Sequence, residues 1–206
     1  VDKSSEVEPR EAPAKYINTP QTVLYDKSRI LYGFDRAKTE IRKQNACVVL
    51  EGQMDLILSH QAGVTNAVAV SGTALTPFHL NMIKRLADTL ILSFDADDAG
   101  FDATAKSVAS ALRFGFDVKI VRIESSPLGV LGTKKDPADL IREKPELWKT
   151  ALASARPIVQ FFLETLAAKN PDARALKKDA GRIVLPLVAQ IASGLDRAHW
   201  VGRGKH

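Results

Sequence analysis

Cysteine is almost missing: the 206 residues hold one, Cys47. A single thiol excludes an intrachain disulfide and a cysteine-built metal site. Its place in the apolar run ACVVL, residues 46 to 50, marks it as a small buried hydrophobe. Also missing is any apolar stretch near the roughly 18 residues that a membrane-spanning helix needs. No signal-peptide pattern opens the chain, so a cytoplasmic protein with no membrane partner is expected. The histidines His60, His79, His199 and His206 fall at no ligand spacing, and there is no Ser-His-Asp or Cys-His arrangement and no GxxxxGK(S/T) phosphate loop.

What is present is an ordinary globular composition, 45% hydrophobic and 26% charged, enough for one core of usual size or two small ones. The net charge of +5, from 29 basic against 24 acidic residues, suits a polyanionic partner. Residues 1 to 13 are polar, charged and Pro-containing, and start without Met. They read as a flexible lead-in or the cut end of a longer protein. From Lys15 onward, Tyr16, Tyr25 and Tyr32 alternate with Lys15, Lys27, Arg29 and Arg36. Two readings stand side by side: cations and aromatics that hold a nucleic-acid strand by phosphate contact and base stacking, or a loop whose tyrosines pack on a neighbouring domain.

From Ala46 the pattern becomes regular. ACVVL reads as a buried strand, MDLILSHQAG as a helix ending at Gly63, NAVAV as a second strand, and PFHLNMIKRLA as a helix with Pro77 in its first turn. TLILSF is a third strand, the next helix carries Phe101, Ala105, Val108 and Leu112 on one face and closes at Gly115, and DVKIVRI is a fourth strand. Strands alternating with helices call for right-handed crossovers, hence an α/β fold with a four-stranded parallel sheet flanked by helices. Beyond Pro145 no strand is expected, and two apolar stripes, Ile158 to Leu166 and Ile183 to Ile191, predict a small helical subdomain. The expected organisation is a lead-in and end of a preceding subdomain over 1 to 44, the sheet domain over 45 to 144, and the helical part over 145 to 206.

The third strand runs straight into Asp95, Asp97 and Asp98. At an effective dielectric of about 20, two charges about 4 Å apart repel by about 4 kcal/mol, so such a loop either splays into water or holds cations. Parallel sheets bind ligands at the carboxyl ends of their strands. Glu51 and Asp55 follow the first strand, as Asp95 and Asp97 follow the third, and Asp136 begins a third acidic loop just before Pro137. If the first and third strands are neighbours, the first four of these acids share one crevice. Carboxylates without His or Cys favour Mg²⁺ or Mn²⁺ over zinc, and such ions are the usual tool of phosphoryl transfer on nucleotides or nucleic acids.

These residues also carry a resemblance. EGQMD at 51 to 55, SGTALT at 71 to 76, FDADDAG at 94 to 100 and KDPAD at 135 to 139 resemble the Toprim signature as it occurs in bacterial replicative DNA primases, and KYINTP with YDKSRILYGF resembles the stretch before it. The resemblance implies a Toprim catalytic core, part of an RNA polymerase domain that makes short RNA primers on single-stranded DNA. There a 3′ hydroxyl attacks the α-phosphate of a ribonucleoside triphosphate and pyrophosphate leaves. It implies Glu51 as general base or metal-linked acid, Asp95 and Asp97 as holders of the divalent ions, and Asp55 and Asp136 in support. Lys15, Lys27 and Arg29 match basic positions that contact template or nucleotide, and a replicative helicase is an expected partner through a region outside this chain. Two positions depart from the family pattern: Gln53 stands for the usual Tyr, and Ala138 for the usual second Asp.

Two other readings share the fold. A topoisomerase needs a nucleophilic tyrosine in a separate domain, and all three tyrosines here lie in the leading segment. A Toprim scaffold of DNA repair has no need to keep the repulsive cluster of Glu51, Asp95 and Asp97.

Overall fold

Each apolar run of the sheet region becomes a strand whose alternate side chains serve opposite faces. The computed structural model describes residues 20–93, 98–121, 137–169 and 172–203. Its sheet is built from β1 (Ala46–Leu50), β2 (Ala67–Ala69), β3 (Thr89–Ser93), β4 (Asp117–Ile120) and β5 (Arg156–Pro157), in the order β2-β1-β3-β4-β5. The first four are parallel to their neighbours, with Leu50 opposite Ser93 at the carboxyl ends of β1 and β3. The expectation that these two strands are neighbours is met.

The helices are α1 (Phe34–Gln44), α2 (Gln53–Gln61), α3 (Pro77–Lys84), α4 (Asp98–Arg113), α5 (Pro137–Glu143), α6 (Pro145–Ala153), α7 (Ile158–Lys169), α8 (Ala173–Ala189) and α9 (Gly194–Arg203). One face of the sheet, with Cys47, Val49, Val68, Leu90, Leu92 and Val118, packs on α1, α3, α4, α7 and α8 through residues such as Ile41, Leu80, Ile83, Val108, Phe162 and Val188. The other face, with Val48, Leu50, Ala67 and Ala69, packs on α2, α5 and α6 through Leu56, Ile141 and Trp148. Because the helix after β1 and the helix after β3 leave on opposite faces, the sheet has its switch point between these two strands. That is where an open α/β sheet forms its ligand crevice.

One feature corrects the sequence reading. The sheet has five strands rather than four, and a strand does follow Pro145: β5 pairs antiparallel with β4, Lys119 opposite Pro157 and Ile120 opposite Arg156. A two-residue Arg-Pro strand shows no alternation, and Pro is confined to a sheet edge because it has no N–H for a ladder. The helix α1 lies in the segment expected to end a preceding subdomain, and its Ala37 and Ile41, spaced i and i+4, are both fully buried. The stripes of α7 and α8 join the same core as the sheet: Ile158, Phe162, Leu166, Val184, Leu187 and Val188 are all buried. The helix α8 runs on through Pro186.

The edge of β2 is closed locally. Tyr32 forms an isolated antiparallel bridge to Ala69, donating its N–H at 2.9 Å and accepting from Ala69 N–H at 3.1 Å. This satisfies backbone groups that an open edge would expose. Leu31, beside it, is 4% exposed and belongs to the main core. The leading segment is therefore docked on the sheet domain from Leu31 onward.

Candidate active site

The turn from β1 into α2 carries the first acidic motif. Glu51 leaves the end of β1 exposed to solvent, while Asp55, one turn into the helix, is 9% exposed. The Asp55 Oδ2 accepts the Gly52 N–H at 3.1 Å. This carboxylate at the third helical position satisfies an amide that the first turn leaves without a helical partner, and its charge suits the positive end of the helix. Gly52 is extended, at φ −103°, yet a Cβ there meets Asp55 Oδ2 at 2.7 Å. The absence of a side chain at residue 52 is thus what lets the carboxylate close on the backbone next to Glu51.

The loop after β2 is fastened to this turn. Gln53 Nε2 donates to Ser71 Oγ at 3.3 Å, and Ser71 is buried with φ 56°, followed by Gly72 at φ 75°. A non-glycine residue in the left-handed region costs about 1 kcal/mol or more, and it persists where surrounding contacts hold it. Gln53 is one such contact. The SGTALT loop then ends in Thr76, which caps α3: Thr76 Oγ1 accepts from His79 N–H at 3.2 Å, with Pro77 at the first helical position.

The basic segment sits on that cap. Asp26 Oδ1 accepts from both the N–H and the hydroxyl of Ser28, at 2.9 and 2.6 Å, and the Ser28 hydroxyl bond is the main reason that the Asp26 carboxyl lies below its ordinary pKa. Thr76 Oγ1 donates to Ser28 C=O at 2.6 Å, and His79 Nε2 lies 3.0 Å from Lys27 C=O. The Arg29 guanidinium stacks 4.9 Å from the ring centre of Phe78. Lys27 is half-buried and Arg29 exposed. Since α3 starts from the carboxyl edge of the sheet, these cations stand on the same edge as Glu51.

Asp95, Asp97, Asp136 and Lys15 lie outside the described residues. The register of Leu50 with Ser93 brings the chain that leads into Asp95 alongside the chain that leads into Glu51, and α5 starts at Pro137, as its sequence predicts, directly after Asp136. Among the described residues, no three His, Cys, Asp or Glu side chains come together as a metal cluster. The donors available at the edge are carboxylates, a chemistry that fits a hard divalent cation. Sequence reading missed Thr76, Phe78 and His79. Their signal was Thr-Pro-x-His, a cap residue followed at the third helical position by a side chain able to accept from the cap amide.

Residues 48–141 match the family described as Toprim-like, and residues 6–38 match the DNA primase catalytic core, N-terminal domain. Over both segments the chain is similar to DNA primases. It is 38% identical over 167 residues to the DNA primase of Campylobacter jejuni, covering 81% of this chain and 26% of that one. The primase of Mycolicibacterium smegmatis is 36% identical over 205 residues, covering 92% and 31%. The chain thus spans less than a third of the length of these curated relatives. The RNA polymerase domain of Mycobacterium tuberculosis primase superposes with a TM-score of 0.73 at 33% identity, covering 93% of this chain and 60% of that structure. A DnaG primase catalytic domain bound to single-stranded DNA superposes with a TM-score of 0.75 at 26% identity, covering 95% and 62%. The mixed α/β architecture is that of the primase catalytic core.

Proposed function

We propose that this chain is the part of a primase that joins ribonucleotides into a short RNA primer on single-stranded DNA. The observation that supports the reading is the pairing of β1 with β3 at the switch point, in register to Leu50 and Ser93, which sets side by side the ends of the two strands that the acidic motifs follow in sequence. In this reading Glu51, Asp95 and Asp97 surround the reacting phosphate, Asp55 holds the Glu51 turn, and Asp136 supports the ions from the third loop. Held by these carboxylates, Mg²⁺ or Mn²⁺ would supply the positive charge that a triphosphate needs in phosphoryl transfer. Glu51 serves either as the base that takes the 3′ hydroxyl proton or as an acid that holds an ion. Lys15, Lys27 and Arg29 contact template or nucleotide phosphates. The replicative helicase is a partner of the whole protein through a region outside this chain. The proposed division of labour runs from the lead-in, 1 to 44, through the Toprim unit, 45 to 144, to the helical part, 145 to 206.

The test is primer synthesis on single-stranded DNA with ribonucleoside triphosphates and Mg²⁺ or Mn²⁺, run with the full-length protein that carries this segment. Glu51→Gln is expected to lower the rate by two orders of magnitude or more, in the range typical of losing general acid–base catalysis, about 10²- to 10⁴-fold. Primer yield equal to that of the parent would rule out the site.

A further inference from the structure

His79 is completely buried, yet both of its ring nitrogens are engaged. The Thr76 N–H points at Nδ1 from 3.3 Å, and Lys27 C=O lies 3.0 Å from Nε2. A backbone N–H can only donate and a carbonyl can only accept, so Nδ1 accepts, Nε2 carries the hydrogen, and the imidazole is neutral. Burial, which pushes the His79 pKa below its ordinary value, favours the same form. A helix cap needs only the bonds between Thr76 and His79. Here the same two side chains also reach 48 and 52 residues back along the chain, to the carbonyls of Ser28 and Lys27, in succession.

We propose that His79 is a positioning residue that fixes the backbone of Lys27, and with it the direction in which Lys27 and Arg29 meet a nucleic-acid strand. The inference rests on the reading that these two cations contact the strand. A cation on a prearranged backbone binds phosphate without first having to order its loop, whereas a loose loop gives up part of the binding free energy to that ordering. The Asp26–Ser28 turn and the stacking of Arg29 on Phe78 complete a short platform, which His79 and Thr76 tie to α3 through the carbonyls of Lys27 and Ser28.

The two functions of the ring can be separated by substitution. In His79→Gln the side-chain Nε2 can stand where the imidazole Nε2 stands, keeping the donor to Lys27 and losing the acceptor for Thr76. In His79→Asn the Oδ1 stands for Nδ1, keeping the cap and losing the donor. Binding of a fluorescent single-stranded oligonucleotide is measured across a salt series, with melting temperature recorded for each variant. Lys27→Ala with Arg29→Ala is expected to weaken binding several-fold and to flatten the salt slope by about 0.7 for each phosphate that is no longer neutralised. H79N is expected to lose affinity and slope in the same direction, and to add nothing further on the K27A/R29A background. H79Q is expected to bind like the parent despite a lower melting temperature. If K27A/R29A weakens binding while H79N keeps parent affinity and slope, the positioning role is wrong and the reading of the basic segment stands. If K27A/R29A binds like the parent, the reading of the segment falls and the inference with it. If H79N fails to fold, H79Q decides: weak binding in that variant overturns the proposal.

Discussion

At the scale of single residues, the contact between Gly52 and Asp55 is the most exposed to test. A Cβ at residue 52 meets Asp55 Oδ2 at 2.7 Å, and the carboxylate must move off the Gly52 amide to admit it. Losing a cap at a helix N-terminus costs about 0.5–2 kcal/mol, so Gly52→Ala and Asp55→Ala should each lower the urea midpoint by a corresponding amount. Because both changes break one contact, the double variant should cost little more than the worse single one. Fully additive losses would mean that the contact is not shared. Cys47 supplies a simpler case: it is fully buried, and burial drives its thiol pKa far above the ordinary value. That is the behaviour its apolar neighbours predicted, since a thiolate finds no compensating charge in a core.

At the scale of elements, α5 decides what the broken third motif can do. The helix begins at Pro137, and successive helical positions point about 100° apart, so on helix geometry alone position 139 does not share the direction of position 138. Asp136 immediately precedes that helix in sequence. Asp136→Asn is therefore expected to lower primer synthesis and metal affinity sharply, and Asp139→Asn to do little. The reverse ranking in the same assay would place the loop one register away from the family pattern. Other elements were legible to different degrees. α3 announced itself through Pro77 and the spacing of Leu80 and Ile83, both fully buried. By contrast α1 was hidden, because Ala37 and Ile41 are too few apolar residues to stand out among the charged and polar residues that fill most of Phe34–Gln44, and its stability comes from the sheet it covers.

At the scale of the whole molecule, the proposed acidic site would couple function to stability. Asp95→Asn together with Asp97→Asn removes like charges from one loop, so in chelator the melting temperature should hold or rise, while primer synthesis is lost. A clear drop in melting temperature in chelator would sink the metal-site reading. For the parent, an ion that binds only the folded chain adds about 2.7 kcal/mol at one hundred times its Kd, so Mg²⁺ or Mn²⁺ should raise the melting temperature and the double variant should lose that rise. The sequence by itself determined the strands β1 to β4, the apolar faces of α3, α7 and α8, and where the acids fall relative to strand ends, because these follow from local spacing. Motif order also carried the resemblance to primases, Gln53 and Ala138 notwithstanding. Only the tertiary structure decided that β1 lies beside β3, that β5 closes the far edge, and that Lys27 and Arg29 rest on Thr76, Phe78 and His79. A hydrophobic pattern says that a strand must be covered without saying by what. Backbone carbonyls such as those of Lys27 and Ser28 are chemically the same at every residue, so a bond that reaches them from 48 and 52 positions away leaves no trace in spacing.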